Sequence, residues 1–264
     1  MNSELDYVKG PGFSQDYFLP HLYKFSESFR IIFYDQRCCG HSTGTLTSEQ
    51  INIDQYVEDL EQLRQNLHLE KFYLLGHSWG GFLAMSYAIK YPQHIEKLVL
   101  ANSAPCNQEG FFSFFNEYAI RTAHLKDELE KLHSSEAYVN GDPEIVKAYY
   151  KLALSTYLYD KNMIKDLSLD MTKESAVNCD KVYALFAKNL FETPFDLRKL
   201  LNHLEISTLV IHGDTDPIPP VTAELIHKNI PNSKYVLIKD CGHFPYIETP
   251  KLFEKEVTGF LNSK

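Results

Sequence analysis

Short apolar runs rich in β-branched and aromatic residues alternate with stretches of helical period over about the first hundred residues. "FRIIFYD" from Phe29 reads as a strand, a helix spans about Ile53 to Leu67, "KFYLLG" reads as the next strand, a helix follows Ser78, and "KLVLANS" from Lys97 is another strand. The rhythm returns near the end with "TLVIHG" from Thr208, a helix from about Val221 to Asn229, "KYVLIKD" from Lys234 and a last helix from Pro250. Such alternation predicts βαβ units and an α/β protein: a mostly parallel sheet with flanking helices. Thr249 is placed to cap the last helix and Pro250 to fill its first position, where a missing N–H costs nothing.

Between Cys106 and about Leu201 the rhythm breaks, and patterns such as "EIVKAYYKLALSTYLYD" suit amphipathic helices instead. The expected division is a discontinuous core of residues 1–105 and 202–264 with an inserted helical cap of residues 106–201. Phe111, Phe112, Phe114, Phe115 and Tyr118 either line a substrate pocket in that cap or pack it against the core, and packing is the expectation for any single one. No internal repeat or low-complexity tract interrupts the chain.

Composition narrows the partners. With 264 residues, 44% of them hydrophobic, the chain can bury a sizeable core. A formal net charge of -9 and no clustered Lys and Arg argue against nucleic acid, whose phosphates are bound through such clusters. The five cysteines include the adjacent pair Cys38 and Cys39 and no CxxC spacing, which fits a reducing, cytoplasmic location. "MNSELDYVKGPG" has neither a basic start nor an apolar core of the kind a secretory leader carries, and no run approaches the roughly 18 apolar residues of a membrane span. No membrane partner is expected.

The candidate chemistry centres on Gly76-His77-Ser78-Trp79-Gly80, where a strand runs into a serine and a helix leaves it. The flanking glycines let strand and helix approach while Ser78 takes a strained conformation, a nucleophile elbow. The turn aims the Trp79 N–H, at a helix start, toward a developing oxyanion. An acid and a base must then follow. Asp214 and Asp216 come after "TLVIHG", and His243 comes after "KYVLIKD", each at the carboxyl end of its strand, where open α/β sheets place their chemistry. A serine hydroxyl is a weak nucleophile until a neutral imidazole accepts its proton, and a carboxylate fixes that imidazole's tautomer. His41, His77 and His212 flank the motifs and are read as packing or hydrogen-bonding residues. Cys241, two residues before His243, is read as structural.

"GPGFSQDYFLP", "YDQRCCGHSTG", "GHSWGG" and "HGDTDPIPP...CGHFPYIETP" together resemble the α/β-hydrolase superfamily, and within it the proline-iminopeptidase-like serine hydrolases of peptidase family S33, over nearly the whole length. The resemblance implies an α/β-hydrolase fold, a helical cap over the site, and no metal or organic cofactor. The family's G-x-x-D turn, counted from Gly213, falls on Asp216, which makes the triad Ser78, Asp216 and His243 and leaves Asp214 to shape the turn. In "DQRCCGHS", Cys38 stands where the family has glycine and His41 where it has arginine, while Asp35 and Arg37 are expected to order the loop. Glu248 is expected to stabilise the last helix's N-terminus.

Two departures matter. The family's H-G-G-P-G loop is here Val8-Lys9-Gly10-Pro11-Gly12. Pro11 has no N–H, so Gly10 is the expected second oxyanion donor beside Trp79. Family members also place two or three strands ahead of this loop, so the first strands of the usual fold are expected to be missing. An edge so exposed invites aggregation or pairing with another chain, and three readings stay open: a misplaced start codon, a minimal variant that covers the edge as a homo-oligomer, or a decaying, weakly active copy.

The implied function is a serine hydrolase working through an acyl-enzyme on a small peptide or acyl substrate. Foremost is an aminopeptidase releasing N-terminal proline or another small residue from short peptides, its specificity requiring a carboxylate for the substrate ammonium. Glu109, Glu117, Glu136, Glu174, Asp180 and Glu192 are all available in the cap. One branch of the family carries an acid directly after the catalytic Asp, and this chain has Pro217 there. A carboxylesterase or amidase with the same triad is the enzyme rival, and a non-catalytic or weakly active protein of the same fold is the rival from another class.

Overall fold

The computed structural model describes residues 4–8, 13–19 and 21–263. Its strands are β1 (Glu4–Val8), β2 (Arg30–Phe33), β3 (Phe72–His77), β4 (Ile95–Ala101), β5 (Thr208–Gly213) and β6 (Ser233–Ile238). All pair in parallel, in the order β2-β1-β3-β4-β5-β6. The α/β reading therefore holds, with one addition. The polar stretch "ELDYV" before the Gly10 loop gives no strong strand signal, yet β1 is an interior strand, pairing with β2 on one side and β3 on the other.

Burial follows the two-residue period of a sheet covered on both faces. Leu74, Leu98, Leu100 and Val210 enter one core, and Leu75, Val99, Leu209 and Ile211 enter the other. The first core is closed by α1 (Ile53–Asn66) and α2 (Trp79–Lys90). Asn52 caps α1, its side chain accepting from Gln55 N. Helix α2 is buried along most of its length, as expected of a helix held between the sheet and further helices.

Helices α3 (Gln108–Thr122), α4 (Lys126–His133), α5 (Glu136–Val139), α6 (Pro143–Leu154), α7 (Lys173–Phe191) and α8 (Arg198–Leu201) all lie between β4 and β5. The chain leaves the sheet and returns through one neck, where Leu197 N donates to Cys106 O at 2.9 Å and Asn107 bridges Asp196. The remaining helices are α9 (Pro220–Asn229), α10 (Pro245–Glu248) and α11 (Pro250–Leu261). Pro250 opens α11 as its sequence suggests, but Thr249 makes no side-chain cap. Its hydroxyl donates back to Pro245 O at 3.2 Å, because the short α10 runs directly into the same turn. The other end of α11 is closed by Lys97, whose Nζ donates to Phe260 O, Leu261 O and Ser263 O. Among the described residues, no helix is long and apolar enough to cross a membrane.

Candidate active site

Ser78 sits between β3 and α2 with φ 57° and ψ -126°, in a region that L-residues occupy only under constraint. The constraint is visible on both sides. A Cβ on Gly76 would overlap the carbonyl of Gly80, so strand and helix touch backbone to backbone at the turn. The Ser78 carbonyl accepts from Gly81 N at 2.9 Å and from Ala104 N at 2.8 Å, which fixes the peptide. Trp79 is the first residue of α2, and its N–H belongs to the set that a helix cannot satisfy internally.

The acid and base meet at the far ends of β5 and β6. His243 Nδ1 lies 2.8 Å from Asp216 Oδ2. A carboxylate only accepts, so the imidazole carries its proton on Nδ1 and presents the Nε2 lone pair. That lone pair and the Ser78 hydroxyl form no hydrogen bond with each other or with any other described residue, and catalytic hydrogen bonds of this kind tighten when substrate binds. Asp216 is held by more than its histidine: Asn102 Nδ2 donates to the same Oδ2 at 2.6 Å, and Ile218 N donates to Oδ1 at 2.8 Å. Burial opposes ionisation of Asp216, but the neighbouring His243 and His212 and the hydrogen bonds from His243 and Asn102 outweigh it, keeping the carboxyl below its ordinary value.

Asp214 takes no part in this contact. Its Oδ1 accepts from Cys241 N at 3.4 Å, tying the acid turn to the base loop. Gly10 lies outside the described residues, so the structure assigns Trp79 alone of the two expected oxyanion donors a position.

Several supporting residues escape a reading of the sequence. Asn102, at the end of β4 with φ 44°, orients Asp216 and also donates to Gly242 O at 3.0 Å. An asparagine closing an otherwise apolar strand was the available signal, since asparagine tolerates that backbone region. Arg121, from α3, reaches the acid turn and donates to Thr215 O at 2.6 Å. Glu248 differs from the expectation. It does not serve the last helix but accepts from Gly242 N and Phe244 N, on either side of His243, and from Tyr159 N of the insert.

The insert aromatics pack in two groups. Phe111 is buried against Phe82 and Phe195, as packing requires. Phe114 and Tyr118 instead pack on Tyr157, whose ring stands edge-on to His243 with centroids 5.2 Å apart. Among the acids, Glu117 is paired with Arg121 at 2.7 Å, and Asp180 accepts from Tyr138 and Tyr150. In the preceding loop Asp35 accepts from Gln15 N and His41 N, and Arg37 binds Asp59 through two nitrogens, the ordering roles expected of them. Cys38 has φ 59°, the left-handed conformation that glycine supplies in the family pattern. Cys241 is buried, and burial pushes its thiol pKa up, as suits a structural residue.

A parallel sheet with an elbow serine, and an acid and a base at the ends of later strands, define the class. The family described as "alpha/beta hydrolase fold" matches residues 10–250, and the chain belongs to it as a serine hydrolase. Among curated relatives, it is 27% identical to the proline iminopeptidase of Heyndrickxia coagulans, over 96% of this chain and 88% of that one. It is 28% identical to that of Clostridioides difficile strain 630, over 96% and 87%. Among solved structures, an α/β fold family hydrolase from Bacillus anthracis superposes with a TM-score of 0.72 at 17% identity, covering 98% of this chain and 92% of that one. A thermophilic esterase from Thermogutta terrifontis gives 0.70 at 22%, covering 99% and 90%.

Proposed function

We propose that Ser78, His243 and Asp216 act as a catalytic triad, and that the enzyme releases N-terminal proline or another small residue from short peptides. The observation that carries the triad is the Asp216–His243 hydrogen bond of 2.8 Å beside a serine held at positive φ. His243 Nε2 takes the Ser78 proton as Oγ attacks the scissile carbonyl carbon, and the oxygen that gains charge is met by the Trp79 N–H. The imidazolium then gives its proton to the leaving amine as the C–N bond breaks. Water, deprotonated by the same imidazole, releases the acyl group and restores Ser78. The similarity to proline iminopeptidases supports the aminopeptidase reading of that chemistry.

A small acyl ester or amide is the second reading, favoured by Pro217 and by the engagement of two of the six insert acids. Pro217 follows Asp216, Glu117 is neutralised by Arg121, and Asp180 is engaged by two phenols. Peptidase specificity needs a carboxylate free to meet an ammonium ion.

Covalent labelling by a fluorophosphonate tests the triad. The wild-type protein is expected to label and Ser78→Ala to remain unlabelled while folded; a folded wild-type protein that does not label ends the catalytic reading. Prolyl-arylamide and short acyl-ester substrates run in parallel then separate the two readings, since ester turnover without proline release is incompatible with the first.

A further inference from the structure

The main chain of His243 is held from two directions. Its N–H donates to Tyr157 O at 2.8 Å, and its carbonyl lies 2.7 Å from Nε2 of His77, the residue immediately before Ser78. A carbonyl can only accept, so His77 carries its proton on Nε2. Its Nδ1 is then a lone pair, and it faces the Tyr17 hydroxyl at 3.2 Å, which donates. The result is a directional chain, Tyr17 O–H to His77 Nδ1 and His77 Nε2–H to His243 O. It runs from the segment after the Gly10 loop, through the nucleophile turn, to the base.

His77 has no solvent exposure, and Tyr17, Phe18, Phe244 and Tyr246 enclose its ring. A buried polar ring in an aromatic box is costly unless both nitrogens are satisfied, and here both are. Burial, with His243 beside it, pushes its pKa well below the ordinary value, so the ring stays neutral and the direction of the chain does not reverse.

We infer that His77 is a positioning residue, one that registers the base against the nucleophile. Ser78 and His243 come from different strands, and β4 and β5 lie between β3 and β6 in the sheet. His77 supplies a direct link from the residue next to the nucleophile to the peptide of the base. The inference rests on the triad reading above.

The test compares His77→Ala with His77→Gln, whose amide nitrogen can still donate to the His243 carbonyl, and uses Tyr17→Phe as the milder variant. Fluorophosphonate labelling of wild-type and Ser78→Ala protein comes first: an unlabelled wild-type protein removes the triad, not the link. Given labelling, His77→Ala is expected to lose roughly 10- to 100-fold in labelling rate and kcat with KM little changed, as misplacement of a catalytic group does. The acid limb of its kcat/KM profile should move to lower pH as the imidazolium loses alignment with Asp216. His77→Gln should recover most of the rate, and Tyr17→Phe should show a smaller loss in the same direction. The inference is overturned by folded His77→Ala at the wild-type rate and pH profile, or by His77→Gln losing as much as His77→Ala. If His77→Ala does not fold, the same rate and pH readouts on Tyr17→Phe decide, and no change in either overturns it.

Discussion

The loops that end β5 and β6 and the helical insert face each other across the site, and they are built by opposite rules. In the loops the acid and the base are held by directed hydrogen bonds: Asp216 to His243, Asn102 and Ile218 N, and the base loop to Glu248, Tyr157 and His77. The insert meets His243 through the ring of Tyr157, on which Phe114 and Tyr118 pack, and leaves Phe112, Ile120, Val139 and Tyr183 exposed by half or more. Satisfied hydrogen bonds specify one geometry, whereas aromatic contacts accept a range of angles at similar energy. The division of labour expected from this gives the chemistry to the rigid side and the choice of substrate to the adaptable one.

Three experiments press on that contrast. Asp216→Asn should have the largest effect, about 10⁴-fold in kcat, because the amide no longer dictates the His243 tautomer. Steady-state kinetics alongside a melting curve check it, and a loss under tenfold in a folded variant would mean the rigid side is not what sets the rate. Tyr118→Ala, on the other side, should raise KM by roughly 2- to 10-fold with kcat changed less, the scale of one aromatic contact. If kcat falls while KM holds, the insert is part of the triad's support and the division of labour fails.

Glu248 bridges the two regions and should give the smallest effect, on stability rather than rate. Burial raises its pKa against the opposing pull of the N–H groups of Tyr159, Gly242 and Phe244. A raised folded-state pKa contributes stability that is fully present below the unfolded value and is lost as pH rises through the folded one. Wild-type protein should therefore gain on Glu248→Gln as pH is lowered from neutral into that range, by a few degrees of melting temperature at about 2–4 °C per kcal/mol. A difference between the two that does not change with pH would show that Glu248 has the same pKa folded and unfolded.

The strands β3, β4 and β5 announce themselves because burial on both faces demands unbroken apolar runs, and the Ser78 elbow because Gly76 has no substitute at a backbone contact. β1 was missed for the converse reason: "ELDYV" is a polar strand, and its place depends on pairing with β2 and β3 rather than on its own pattern. Thr249 and Glu248 show the same limit at the scale of one side chain. Each has the chemistry to serve the last helix, and each is drawn to a partner that only the fold brings near.

The sequence by itself determined the α/β class, the helical insert and the candidates Ser78, His243 and the turn that carries Asp214 and Asp216, because periodicity and motif spacing are local properties of the chain. Tertiary structure decided that Asp216 and not Asp214 meets His243, that Asn102 and Glu248 hold the two, and that His77 links the base to the nucleophile's turn. Those are hydrogen bonds between segments up to 166 residues apart, and their direction and length exist only once the strands are side by side.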